Sequence, residues 1–230
     1  MIKKVEKNVL KNFILAGVMF FTFVLFTIGV STIDVQAIGP NGSIVGLATW
    51  NLMIFQKIGV HPLWYTITKW LGYVSIMVAG GFAMLGLLQF INRKSIFRID
   101  RDILLLGFFY CLVMVAYVLF EMVIINYRPV IIDVKEGLEA SFPSSHTMLV
   151  ICIMSTAIMQ FHSRIKAKTV RCLSEILSVI IMVVTVVGRL ISGVHWLTDI
   201  VGGLLLGAAF VMLYYAAITV GQCSDNTTRF

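Results

Sequence analysis

Charged side chains are scarce in this sequence. Only 13% of the 230 residues are Asp, Glu, Lys or Arg, whereas a soluble globular domain carries roughly 25%, so a fully water-exposed surface is excluded. Intrinsic disorder is excluded as well, because disordered chains are rich in charge and poor in aromatic residues, and 12% of this chain is aromatic. Four cysteines are too few for a disulfide-rich secreted domain, and no disulfide is expected.

Long apolar runs are what the sequence does contain, with 59% hydrophobic residues and a mean hydropathy of +0.96. A hydrocarbon core about 30 Å thick needs ~20 apolar residues per helix. Six runs qualify, at 12–33, 65–91, 103–126, 145–161, 174–190 and 197–220. The first run is too long for a signal peptide and lacks a convincing cleavage site, so it is expected to remain a span. We therefore predict an all-α membrane protein with six transmembrane helices in a single domain, residues 1–230.

Two further patterns bear on architecture. The longest stretch between spans, residues 34–64, carries apolar side chains at helical spacing from Trp50 to Ile58, which predicts a helix lying in the outer membrane interface. In the last run Gly203 and Gly207 are four residues apart, which predicts close packing against another helix.

The net charge of +7 is mainly a topology signal. Thirteen of the 18 basic residues lie at the N-terminus, in 92–102, in 162–172 and in the C-terminal tail, all on one side of a six-span arrangement. The positive-inside rule makes that side, with both termini, cytoplasmic. Nucleic acid is not an expected partner, because no soluble segment interleaves basic and aromatic residues.

Polar residues gather in three segments, all on the predicted outer side: 126–129 (Asn-Tyr-Arg-Pro), 141–146 (Ser-Phe-Pro-Ser-Ser-His) and 188–199, which ends in Asp. Each has an ordinary explanation when taken alone. An Arg-Pro pair can end a helix with a snorkelling arginine, Pro-Ser-Ser can start one, and a histidine four residues before an aspartate can form a structural hydrogen bond.

Taken together, the segments predict a phosphate site. Arg128 and Arg189 offer planar donor forks that match phosphate oxygens. The backbone amides around Ser144 and Ser145, at the start of the fourth span, would point at an anion with the helix dipole behind them. These groups supply positive charge without a metal, and no cofactor is expected. A zinc site is disfavoured because neither histidine of the segments has a cysteine or second histidine at ligand spacing.

The same segments carry groups for catalysis. His195 can attack phosphorus, with Asp199 fixing the tautomer of its ring and stabilising the imidazolium. His146 can protonate the leaving oxygen and then activate water.

In these motifs the chain resembles the type-2 phosphatidic acid phosphatases. Their signature is a lysine seven residues before Arg-Pro, then Pro-Ser-Gly-His, then Ser-Arg, five residues, His, three residues and Asp. The resemblance covers residues 121–199. It implies His195 as nucleophile with Asp199 as its partner, His146 as acid and base, and Arg128 and Arg189 as phosphate ligands. It also implies an all-helical fold whose site opens to the outer leaflet.

The chain departs from that signature at three positions. Glu121 stands where the family has its phosphate-binding lysine, Ser145 replaces glycine, and Gly188 replaces serine. Loss of the serine hydroxyl removes a hydrogen bond of about 1 kcal/mol. Glu121 lies about two helical turns before Arg128 and is expected to face the same cleft, pairing with Arg128 or Arg189 or engaging a substrate hydroxyl. Lys135, in the outer loop, is a candidate replacement for the missing cation.

The expected function is dephosphorylation of a lipid phosphate or diphosphate at the outer face of the cell membrane. Undecaprenyl diphosphate or phosphate, phosphatidylglycerol phosphate and phosphatidic acid are candidate substrates, and the sequence does not choose among them. The alternative is a lipid-phosphate-binding or scaffolding protein that has lost turnover through Glu121. A small transporter has little support, because no ionisable residue lies near the middle of a span.

Overall fold

Helices form almost all of the regular structure in this computed structural model. It describes the backbone of residues 2–135 and 137–227 and the side chains of residues 8–135 and 137–220. Within that part there are seven α-helices and no strand, so the predicted all-α class is confirmed. Their bounds are α1 Ile2–Thr32, α2 Ala48–Ile58, α3 Pro62–Arg93, α4 Arg101–Met122, α5 Ser145–Arg164, α6 Lys168–Ile191 and α7 Leu197–Thr227. The side chains of Lys3, Lys4, Lys7, Cys223 and Arg229 lie outside the described residues.

Five helices in the described part of the chain are long and apolar enough to cross a membrane. They are Asn8–Thr32, Pro62–Arg93, Arg101–Met122, Lys168–Ile191 and Leu197–Val220. Large apolar side chains are exposed along them, as lipid-facing surfaces require. The chain is therefore a multi-pass membrane protein, with five such helices where six runs were predicted.

The remaining predicted run corresponds to α5, which the other helices enclose. It packs against α3, α6 and α7. Its polar side chains find partners inside the bundle: Thr156 Oγ1 lies 3.0 Å from the Tyr110 hydroxyl, and Gln160 Nε2 donates to the Tyr214 hydroxyl at 2.8 Å. Because neighbouring helices surround much of α5, it accommodates polar residues that a lipid-facing helix would not.

Glycines on α7 bring the starts of α5 and α7 together. A Cβ added at Gly203 would lie 2.8 Å from the Ser144 carbonyl oxygen, and one at Gly207 would lie 3.0 Å from Ile151 Cγ2. The predicted close packing is confirmed, and it places two of the three motif segments side by side.

The end of α4 differs from the prediction. The helix stops at Met122, four residues before the end of the predicted span, so the Arg128-Pro129 pair does not close it. The β-branched residues at 123–125 favour this early stop, because they lower helix propensity.

Beyond that helix the chain folds back on itself. Tyr127 and Ala140 form an antiparallel bridge, the Arg128 amide donates to the Glu139 carbonyl at 3.1 Å, and the Ser141 amide donates to the Asn126 carbonyl at 2.9 Å. This return loop, residues 123–135 and 137–144, carries Arg128 to the start of α5.

The predicted interfacial helix exists as α2, but it also packs against the protein. Trp50 is 62% exposed, whereas Asn51 is fully buried. The Asn51 amide group donates to the Gly46 carbonyl and to Thr198 Oγ1, both at 2.9 Å, and its oxygen accepts from the Thr198 amide at 3.1 Å. α2 therefore supports the first turn of α7.

An ion-pair cluster ties three helices at the opposite end of the bundle. Arg164 on α5 bonds Asp100 at 2.9 Å and Asp102 at 2.6 Å, and Arg93 on α3 bonds Asp100 at 2.8 Å. Hydrogen bonds from Arg93, then Arg164, lower the pKa of Asp100 to about 2. The carboxylate therefore stays charged at neutral pH and holds the pairs together.

Candidate active site

The three motif segments meet at one end of the bundle. His195 lies in the turn between α6 and α7, with its side chain buried between the return loop and the starts of α5 and α7. His195 and Asp199 do not share a helix, because α7 begins only at Leu197. They are nevertheless close, with 3.6 Å between His195 Nδ1 and Asp199 Oδ2.

Ser141 lies between these two residues, and its position was not predicted to have a role. Its hydroxyl donates to Asp199 Oδ2, and its oxygen is 3.1 Å from His195 Nδ1. A serine hydroxyl has one hydrogen. Since that hydrogen is directed to Asp199, the Nδ1–H of His195 donates to Ser141 Oγ. The connection from histidine to aspartate therefore runs through a serine.

This arrangement leaves Nε2 of His195 with a free lone pair. Nε2 is buried and has no hydrogen-bond partner among the described residues. Burial, followed by the charges of Arg128 and Arg189, holds the pKa of His195 well below its usual value. The ring is therefore neutral, which is the form that attacks an electrophile.

Asp199 is held from several sides. It accepts from the Trp196 amide at 2.8 Å and from Asn126 Nδ2 at 3.4 Å, in addition to Ser141. Its side chain is fully buried. These donors fix the carboxylate before any substrate binds, which preorganises the site.

Arg189 is the most unusual buried group in the site. It is fully buried at the end of α6, and its Nε, Nη1 and Nη2 have no hydrogen-bond partner within the described residues. Its guanidinium carbon lies 5.2 Å from the centroid of the Tyr65 ring on α3. Burying a charged group without partners is costly. The geometry is that of a site built to receive an anion.

Arg128 has a carboxylate partner, and it is not Glu121. Its Nε lies 3.0 Å from Glu139 Oε2, across the return loop. No ion pair joins Glu121 to Arg128 or Arg189 among the described residues, and the other expected role of Glu121, contact with a substrate hydroxyl, stays a prediction. Arg128 lies beyond the end of α4, where Glu139 on the opposite side of the loop is its neighbour.

Glu121 does face the site. It lines a narrow cleft together with His195, Ser141 and Ser145. The rest of the lining includes apolar side chains of α4, α5 and the return loop: Ala116, Tyr117, Phe120, Phe142, Pro143 and Met148. The cleft thus joins His195 to an apolar wall.

The start of α5 differs in detail from the prediction. Ser144 caps the helix through its hydroxyl, which accepts from the Thr147 amide at 3.5 Å, and its own amide donates to the Asp199 carbonyl at 2.9 Å. The Ser144 amide is therefore not free for an anion. The amides of Ser145 and His146 occupy the open first turn, where an anion is favoured.

The structure accounts for Gly188 but does not place Lys135 in the site. A Cβ at Gly188 would lie 2.6 Å from Thr68 Cγ2 and 2.9 Å from Trp64 Cε3, so close packing of α3 on α6 requires glycine. Lys135 is an exposed residue of the loop, and its amide donates to Asp133 Oδ1 at 2.9 Å.

Several supporting residues had no sequence signal of their own. Asn126, Ser141 and Glu139 lie in or between motif segments and acquire their partners only through the return loop. Asn51 and Tyr65 come from elements outside the motifs. In the described part of the chain, no group of three or more His, Cys, Asp or Glu side chains is placed to hold a metal ion.

The fold and the site define a class: a multi-pass helical membrane protein with a buried histidine and a buried, unpaired arginine at one end of its bundle, within the described residues. The PAP2 superfamily matches residues 102–221, which is more than half of the chain. The chain belongs to this superfamily, and the resemblance to type-2 phosphatidic acid phosphatases is confirmed.

Two known proteins show the similarity. Human sphingosine-1-phosphate phosphatase 2 is 28% identical over 102 residues, which are 44% of this chain but only 25% of that relative. The chain thus spans about a quarter of the length of that relative. The crystal structure of a PAP2-type phosphatidylglycerolphosphate phosphatase from Bacillus subtilis has the same fold, with a TM-score of 0.60 and 19% identity. That alignment covers 87% of this chain and 94% of the other.

Proposed function

We propose that this protein is a membrane-embedded phosphatase that hydrolyses a lipid phosphate or diphosphate through a phosphohistidine on His195. The observation that carries the proposal is the juxtaposition of two buried groups. The neutral His195 presents an unpartnered Nε2, and Arg189 has three unpartnered nitrogens. A phosphate group satisfies both, because it offers oxygens to the guanidinium and an electrophilic phosphorus to the ring.

In the first chemical step Nε2 of His195 forms a bond to phosphorus, and the bond from phosphorus to the lipid oxygen breaks. His146 takes up a proton when the negative phosphate offsets the charges of the two arginines, and it gives that proton to the leaving oxygen, so the lipid leaves as an alcohol or, from a diphosphate, as a monophosphate. The hydrogen bonds from His195 through Ser141 to Asp199 stabilise the positive charge that develops on the ring.

In the second step water replaces the histidine. His146 takes a proton from the water, the oxygen bonds to phosphorus, and the bond to Nε2 breaks to release inorganic phosphate. Arg189, Arg128 and the open amides of Ser145 and His146 hold the phosphoryl oxygens during both steps. No metal is needed, because these groups supply the positive charge.

The apolar side chains of α4 and α5 beside His195 support a lipid substrate whose acyl or prenyl chain lies against these helices. The names of the two similar proteins add sphingosine 1-phosphate and phosphatidylglycerol phosphate to the lipids worth testing. They join undecaprenyl diphosphate or phosphate and phosphatidic acid.

For topology, we propose that α5 is the sixth span and that both termini are cytoplasmic. The site then opens to the extracytoplasmic side. Support comes from the charge distribution, because the cluster of Arg93, Asp100 and Arg164 lies at the opposite end of the bundle from His195.

The test is phosphate release from these lipids by purified protein in detergent, with and without EDTA. We expect turnover of at least one lipid, unchanged by EDTA. Binding of lipid phosphates without any release would favour the alternative, a binding or scaffolding protein. Activity that is lost in EDTA and restored by a divalent ion would contradict the metal-independent mechanism.

A further inference from the structure

The site lacks the lysine of its family signature. Its two arginines, Arg128 and Arg189, are not equally free to bind a phosphate. Glu121 occupies the lysine position. Arg128 is partly neutralised by Glu139 at 3.0 Å, whereas Arg189 is unpaired in the described part of the structure. A phosphate with two negative charges would therefore meet less positive charge than the signature provides.

One face of α3 lies against the site. Tyr65 on this face stacks under Arg189, with 5.2 Å between the guanidinium carbon and the ring centroid. Farther along, a Cβ built at Gly72 would lie 3.2 Å from Cδ2 and 3.6 Å from Nε2 of His146. Tyr65 thus contacts Arg189, a proposed ligand of the phosphate, and Gly72 adjoins His146, the proposed acid.

Lys69 lies between these two contacts. Residues i, i+4 and i+7 share one face of a helix, so Lys69 follows Tyr65 by one turn and precedes Gly72 by one turn. Lys69 therefore lies on the stretch of α3 that contacts Arg189 through Tyr65 and adjoins His146 at Gly72. The flexible four-carbon stem of lysine brings its ammonium from the flank of the helix to a nearby anion.

We propose that Lys69 binds the substrate phosphate and replaces the cation that Glu121 removes. This inference rests on the proposed function. The side chain is exposed, so its ammonium reaches the phosphate by turning from the membrane interface towards the site. A lysine on α3 thus takes the place of the lysine that the family signature has at residue 121 on α4.

The test compares Lys69→Met, which keeps the length of the side chain but removes its charge, with Lys69→Arg, which keeps the charge. Lys57→Met is the matched control, because Lys57 is an exposed lysine of the predicted outer side with no proposed role in the site. Lys69→Met is expected to lower kcat/KM for a competent lipid phosphate about tenfold or more. Lys69→Arg should restore most of that loss, and Lys57→Met should stay within about twofold of wild type.

A second measurement, the binding of inorganic phosphate, tests the role of Lys69 without requiring that the protein hydrolyse any lipid. Phosphate should raise the Tm of the wild type, and Lys69→Met should weaken its apparent affinity about tenfold. The affinities of wild type and Lys69→Met for phosphate can be compared even if no lipid is hydrolysed. Absence of hydrolysis would contradict the proposed function but not the role of Lys69 in binding phosphate. Unchanged phosphate binding and unchanged kcat/KM in Lys69→Met would overturn the assignment, as would an equal loss in Lys57→Met.

Discussion

Ser141 connects the two residues that sequence motifs would join directly. Its hydroxyl donates to Asp199 and its oxygen faces His195 Nδ1 at 3.1 Å. Removing it leaves 3.6 Å between His195 Nδ1 and Asp199 Oδ2, beyond a normal hydrogen bond. We expect Ser141→Ala to lower kcat about 10- to 100-fold with little change in KM, because only orientation and charge stabilisation are lost. Steady-state kinetics check this, with Ser155→Ala as a control, and an unchanged kcat would contradict the role of Ser141.

The two histidines have separable effects. His195→Ala removes the nucleophile and is expected to abolish phosphate release. His146→Ala removes acid and base assistance and should cost about 10²- to 10⁴-fold in kcat. Trapping of a radiolabelled phosphoenzyme in acid should succeed with the wild type and fail with His195→Ala. Near-normal hydrolysis by His195→Ala would rule out the phosphohistidine.

Glu121 faces the cleft without the arginine partner that was predicted for it. We expect it to act on the substrate by accepting a hydrogen bond from a hydroxyl near the phosphate. Glu121→Lys and Glu121→Gln should then both lower kcat/KM for the preferred lipid, because that acceptor is lost. If Glu121 only opposes the phosphate, activity should instead rise from Glu to Gln to Lys. Near a protein surface the Coulomb energy of two close charges is about 4 kcal/mol, enough for a rise of tenfold or more.

At the scale of elements, the contact between α3 and α6 explains a departure from the family signature. The space that a serine at residue 188 would need is filled by Trp64 and Thr68. Restoring the family serine, Gly188→Ser, should therefore destabilise the protein by about 1–3 kcal/mol through overpacking rather than improve activity. Gly80→Ser is the matched control on α3, because nothing lies within 4 Å of a Cβ at that position. The Tm of each variant in detergent is the measurement, and a Gly188→Ser protein with wild-type Tm and higher kcat/KM would contradict the packing argument.

Helix α2 shows how an element outside the motifs takes part in the site. Asn51 satisfies both the amide and the hydroxyl of Thr198, next to Asp199 in the first turn of α7. The turn that presents His195 is thereby held from a segment nearly 150 residues earlier in the chain. A helix predicted to lie in the membrane interface therefore also positions the start of α7.

For the whole molecule, the proposed orientation can be measured. In a background with the four native cysteines replaced by alanine, single cysteines at Ile44, Lys135 and Lys166 report three exposed positions. An impermeant thiol reagent should label Ile44→Cys and Lys135→Cys in intact cells, and Lys166→Cys only after lysis. Labelling of Lys166→Cys alone would invert the topology and place the site in the cytoplasm.

Much of the architecture is determined by local sequence properties. Apolar runs of span length, sparse charge and the glycine pair on α7 predict a helical membrane protein with close packing, because membrane insertion depends on composition over ~20 residues. The motif spacing predicts His195, Asp199 and Arg189 as site residues, and the structure brings His195 Nδ1 within 3.6 Å of Asp199 Oδ2. For these residues the tertiary structure adds distances and partners.

Only the tertiary structure decided how these residues are connected. Because α4 ends at Met122, the return loop turns Arg128 towards Glu139 and brings Ser141 between His195 and Asp199. The contacts of Asn51, Tyr65 and Gly188 likewise join elements distant in sequence. Hydrogen bonds and steric contacts depend on which atoms lie within a few ångströms of each other in space. Periodicity and composition are properties of residues that are neighbours along the chain. A pattern read along the chain therefore identifies the helices and the reactive residues, but it does not specify which side chain from another segment fills the space between them.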